Sequence, residues 1–166
     1  MKKFFIVALV ALMPFGAFAQ KFGHFNSADI LPLMPEYKAA EAELQELTSQ
    51  YQDEFNYMVT EYQKKEDDYL KNRESLPEAT RQRREQDLAD SQQKIQEYRM
   101  NSSTNLENKQ AELLNNINEK ALKAVKEVGE EGGYICIFDL GGGVPFVNAT
   151  LTTDVTEPIK AKLGIK

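Results

Sequence analysis

Between Glu36 and Val128 the chain has one helix breaker, Pro77, and no glycine. Such a stretch can turn only at its proline, and its apolar residues are too sparse to fill a globular core. The pattern predicts two long antiparallel helices meeting at a tip near Ser75–Glu78. This arm, 36–128, would stand on a smaller β body built from 20–35 and 129–166. The fold class is α+β.

The outgoing helix carries an apolar stripe at Leu44, Leu47, Tyr51, Phe55, Met58 and Tyr62. Residues three steps apart along the stripe lie eleven positions apart, close to the natural pitch of a helix, so the stripe runs nearly straight and not as a heptad zipper. Beyond Tyr62 it thins to Tyr69 and Leu76. Ser75-Leu76-Pro77-Glu78 then fits a capping box that starts the return helix. The return limb carries Leu88, Ile95, Tyr98, Leu106, Leu113, Ile117, Ala121, Val125 and Val128, and Gly129, Gly132 and Gly133 end it. At a rise of about 1.5 Å per residue the outgoing limb to Glu74 spans about 58 Å.

The flanks read differently. Lys21 to Asn26 alternates as a short strand, Asn26 or Ser27 caps a short helix at Ile30 and Leu31, and Pro32 and Pro35 delay the long helix to Glu36. After the arm, Tyr134 to Leu140 reads as a strand, Gly141-Gly142-Gly143 as a turn and Val144 to Asn148 as a second strand. A closing helix follows Asp154, with Val155, Ile159 and Leu163 on its apolar face. A body this small buries little surface and usually needs staples or partners. It has no disulfide framework, so several chains sharing one sheet is the expected remedy.

Met1 to Ala19 has the pattern of a cleavable targeting segment: Lys2 and Lys3, an apolar run from Phe4 to Met13, then Ala17-Phe18-Ala19 before the cut. The run is short of the about 20 residues a bilayer span requires. Export to the periplasm, with cleavage after Ala19, is the expectation. The full chain has 20 basic and 26 acidic side chains; without Lys2 and Lys3, 18 stand against 26, a net charge of −8. That balance excludes nucleic acid as a partner, because binding to phosphate is driven by basic side chains.

No residue constellation predicts an enzyme, a metal site or a cofactor. His24 is the only histidine, too little for a metal cluster or a catalytic triad, and it falls in a strand. The Gly141–Gly143 run lacks the Lys-Ser/Thr of a phosphate loop. Cys136, the only cysteine, sits among apolar residues and reads as a small buried hydrophobe.

The whole mature chain resembles the Skp/OmpH-like periplasmic chaperones, most visibly at two places. One is the strand, Asn26-Ser27, Ile30-Leu31 and Pro35-Glu36-Tyr37-Lys38-Ala39-Ala40 leading to Leu44. The other is Glu131-Gly132-Gly133-Tyr134, then Phe146-Val147 and Leu151 to Thr156 before a final helix. The resemblance implies a homotrimer with a shared β-barrel body and three helical arms around a cavity. It also implies ATP-independent holding of unfolded outer-membrane proteins. Its best-known members are strongly basic, so the acidic charge counts against contact with lipopolysaccharide or an anionic membrane. A structural coiled-coil spacer or adaptor of the envelope is the alternative.

Within this frame the stripe has two overlapping uses. Tyr51, Phe55, Met58, Tyr62, Tyr69 and Tyr98 form the seam between the helices, or part of them faces a client, for which Tyr and Met offer large, adaptable contact area. Charge is uneven as well. Ala39 to Gln63 holds Glu41, Glu43, Glu46, Asp53, Glu54 and Glu61 with no Lys or Arg, whereas Arg73, Arg81, Arg83 and Arg84 cluster towards the tip. Those arginines are either a solvated, ion-paired face or a means of steering acidic client segments inward.

Overall fold

The computed structural model describes residues 20–165, so the expected targeting segment lies outside the described residues. The chain opens with strand β1, Phe22–Phe25, and the one-turn helix α1, Ser27–Ile30. The Asn26 side chain accepts from the Ala28 amide and so caps α1. A 3-10 turn over Leu31–Leu33 leads into α2, Pro35–Asn72. Pro35 suits the first turn, because the amide it lacks would have no partner there.

A second 3-10 turn, Arg73–Ser75, reverses the chain, and α3 returns over Glu78–Gly132. The expected capping box does not form. Pro77 precedes α3 with no side-chain cap, and the Ser75 hydroxyl donates instead to the Asn72 carbonyl at 2.7 Å. The hydroxyl has a nearer orphan acceptor at the end of α2, and that bond closes the outgoing helix. At the far end α3 runs through Gly129 to Gly132, and Gly133 takes the left-handed conformation (φ 65°) that stops it. Gly129 therefore does not end the helix.

Strand β2, Cys136–Asp139, then pairs in parallel with β1, Phe22 opposite Cys136 and Phe25 opposite Asp139. The whole hairpin serves as the crossover that parallel pairing requires. A two-residue strand β3, Thr153–Asp154, lies on the other side of β1, giving the order β2-β1-β3, and α4, Thr156–Leu163, closes the chain. Asp139 ties the ends together: one carboxylate oxygen accepts from the Ser27 amide and from the Gly141 amide, both at 2.9 Å.

The second strand expected at Val144–Asn148 is absent. That segment is irregular, Phe146 stands 79% exposed, and the strand after β2 is Thr153–Asp154, paired with β1 and not with β2. Pro145 lacks an amide to donate, and the segment makes no ladder with the open edge of β2 or of β3. The core lies where α1, the start of α2, the end of α3 and α4 converge: Ile30, Met34, Val155 and Ile159 are fully enclosed, with Phe25, Ala40, Ile117, Ala124, Val128 and Leu163 around them.

Candidate interaction surfaces of the hairpin and the sheet

Side chains at three- and four-residue spacing share one face of a helix, so the α2 stripe meets α3 along its length. Tyr51 and Tyr98 touch edge to face, ring centres 6.2 Å apart at 81°. Phe55, Met58 and Tyr62 are half-buried beside them, and the Tyr62 hydroxyl donates to Glu66 at 2.9 Å. Tyr69 is only 6% exposed and its hydroxyl donates to Glu85 of α3. Burial and that carboxylate push the Tyr69 phenol above its ordinary value. All six aromatic and Met residues named from the sequence thus lie on the seam, which continues nearly to the tip.

One opening along the seam lies beside Ser102. Ser102, the one buried polar residue among those described, sits where a larger side chain would fill the space. A notch of about 490 Å³ opens there, lined by Tyr51, Phe55, Tyr98, Arg99, Ser102 and Leu106.

The large apolar side chains that the hairpin leaves in solvent are different ones: Tyr57 (61% exposed), Leu70, Met100, Leu114 and Leu122. Sequence reading passed over them because they fall out of phase with the stripe. That phase was the available signal, since an apolar residue off the buried face has no helix partner.

The tip is less cationic than its arginines imply. Arg84 pairs with Asp68 at 2.8 Å, Arg73 with Glu85 at 4.0 Å, and Arg81 with Glu78. Among the described residues only Arg83 of the four makes no ion pair. Nearer the base, Lys109 bridges to Glu43 at 3.0 Å and Lys120 to Glu36; the Lys120 ammonium holds the Glu36 carboxyl below the usual carboxylate range.

The body presents a second surface. On the sheet, Phe22 stacks on Phe138 with centres 6.2 Å apart, and Cys136 beside them is exposed, not buried as expected. Its position on an edge strand explains this, since no further strand covers it. Elsewhere on the body Ile135, Phe146 and Leu151 are each more than half exposed. His24, on β1, bonds Thr152 Oγ1 through Nδ1 at 2.8 Å, a structural role.

Residues 21–163 match the family described as Outer membrane protein (OmpH-like). The chain belongs to the OmpH-like family. Among solved structures, it is similar to a candidate outer membrane chaperone (OmpH-like) from Caulobacter crescentus. The TM-score is 0.74 at 15% identity, over 87% of this chain and 83% of the other. No curated protein matches the sequence. The OmpH-like fold is thus an α+β arrangement in which a long helical hairpin projects from a small parallel sheet.

Proposed function

We propose that this OmpH-like chain is an ATP-independent, non-enzymatic periplasmic chaperone that holds unfolded outer-membrane proteins between helical arms. Family membership supports the chaperone role and the periplasmic setting. The observation that carries the holding role is the set of five exposed apolar side chains on the hairpin, Tyr57, Leu70, Met100, Leu114 and Leu122. They are isolated from one another, so each can contribute contact without fusing into a patch that would glue two folded surfaces together. An unfolded client can exchange one for the next. The seam residues Tyr51, Phe55, Met58, Tyr62, Tyr69 and Tyr98 would then shape the arm, with Tyr51, Phe55 and Tyr98 reaching a client through the notch beside Ser102.

The working unit we infer is a homotrimer. The open edge of β2, the Phe22–Phe138 stack and the exposed Ile135, Phe146 and Leu151 are features of the body that neighbouring chains would cover. Val144–Asn148 would gain its missing strand partner in that assembly. An envelope spacer is the second reading, favoured by the brace at the tip, where Tyr69, Arg84 and Arg73 tie the two helices. A spacer, however, has no use for five exposed apolar side chains.

The deciding experiment dilutes a urea-unfolded outer-membrane β-barrel protein into buffer with and without the purified mature chain. Suppressed aggregation at one assembly per client is expected without nucleotide. Aggregation that proceeds unchanged would reject holding and leave the spacer.

A further inference from the structure

Tyr57 is the exposed ring of α2, and its helix neighbours are acidic. Asp53 and Glu54 precede it by four and three positions and Glu61 follows by four, so all three carboxylates share its face, with Cβ atoms about 5–6 Å apart. Lys64 binds Glu61 at 2.7 Å, whereas Asp53 and Glu54 make no ion pair among the described residues. An open aromatic face beside two free carboxylates is the chemistry that takes up an ammonium or guanidinium group: the ring quadrupole and the acids attract the same cation.

We propose that the outer face of α2 around Tyr57, Asp53 and Glu54 docks unfolded polypeptide segments that carry Lys or Arg beside apolar residues. This rests on the holding role argued above and adds the chemical class of segment held. Charge selects the occupant. A second copy of this chain would oppose acid with acid at a net charge of −8 without Lys2 and Lys3, and a nucleic acid or an anionic bilayer would be repelled for the same reason. One ring with two carboxylates is also far too small a surface for a folded partner, which needs about 800 Å² on each side. A single cationic side chain with its apolar neighbour fits.

The test uses two dye-labelled, unstructured peptides, one alternating Leu with Lys and the other Leu with Glu, titrated against the mature oligomer at low and high salt. Holding of a urea-unfolded outer-membrane protein is measured in parallel. The Lys peptide is expected to bind about three- to tenfold tighter at low salt and to lose that margin at high salt. The double variant Asp53→Asn, Glu54→Gln lowers the preference at least about twofold, the remainder coming from the rest of the chain's negative charge. Tyr57→Leu keeps an apolar contact but loses the quadrupole, weakening the Lys peptide about two- to fivefold while leaving its salt dependence in place. Circular dichroism of each variant checks that the helices are intact. Equal binding of the two peptides, or a preference that the double variant leaves unchanged, overturns the proposal. If the unfolded protein is still held in that case, the holding role stands and only the selectivity falls; if neither peptide nor protein is held, both fall. Self-association of the arms that Tyr57→Leu abolishes would assign the face to a second copy and overturn it too.

Discussion

The ring of Tyr134 occupies the volume that a side chain on Gly132 would require. The same ring lies 3.3 Å from where a side chain on Gly23 would begin, and the Lys21 ammonium sits 4.0 Å above its centre while donating to the Gly132 carbonyl at 3.0 Å. Two glycines and a cation thus hold one aromatic ring between the first strand and the end of the return helix. Gly132→Ala should displace that ring and cost about 1–3 kcal/mol, as overpacking does. Urea unfolding followed by tyrosine fluorescence reads the loss, and an unchanged midpoint would show that the clamp carries no stability.

Seam and outer face should separate under mutation. Tyr51→Ala with Tyr98→Ala removes the edge-to-face pair and lowers the melting temperature of the hairpin. Met100→Ser with Leu122→Ser removes side chains that are 63% and 66% exposed, so thermal stability should stay nearly constant while holding of an unfolded client weakens. Client protection that follows the melting temperature in both pairs would assign holding to the seam.

Capture rate should depend only weakly on the tip arginines. Arg73, Arg81 and Arg84 already face carboxylates, and exposed pairs of this kind contribute at most about 1 kcal/mol each. Arg83→Gln is expected to change the association rate by less than about twofold, the scale of one screened surface charge. A tenfold drop in stopped-flow capture would restore the steering role to the tip.

Acid should loosen the start of the closing helix. The Thr156 hydroxyl and amide hold the Asp154 carboxyl below its ordinary value, the amide at 2.9 Å. A carboxylate lowered in the folded state adds stability above the unfolded pKa, about 3.9. That contribution is lost as pH falls through the lowered folded value. Asp154→Asn should therefore be less stable than the parent at neutral pH, and the gap should close in strong acid. A gap that does not change with pH would remove Asp154 from the acid response.

Assembly should depend on the apolar surface of the body. Phe146→Ser removes a side chain that is 79% exposed in one chain, so it cannot disturb that chain's core. Sedimentation is expected to show the parent as a trimer at micromolar concentration and the variant shifted towards monomer. A parent that sediments as a stable, folded monomer would end the trimer reading.

The hairpin was legible in the sequence because helical periodicity is a property of the chain itself. The spacing from Leu44 to Tyr62 and the isolated Pro77 anticipate the seam and the turn closely. What failed depended on competition or on missing partners. Ser75 had two possible partners, a backbone amide of the return helix to accept from and the Asn72 carbonyl to donate to, and spacing alone does not choose between them. Val144–Asn148 has strand composition, yet Pro145 removes a donor from the segment, and it pairs with neither open edge of the sheet. Cys136 has the neighbours of a buried residue but lies on a strand with nothing outside it. Tyr57, Met100 and Leu122 were hidden for the opposite reason, because reading a stripe directs attention away from residues that interrupt a polar face.

The parallel pairing of β1 with β2 also sets an order of events. Lys21 and Gly132 meet across 111 positions, and Ser27 and Asp139 across 112, so neither contact can form until nearly all of the chain is present. The helices need only local turns, and α2 finds α3 through one short reversal. Closing so long a loop is entropically costly for a flexible chain, and contacts so remote in sequence fold slowly. Once zipped, however, the hairpin is a stiff strut that delivers its two ends to the same place. The arm is therefore the jig on which its own base is assembled.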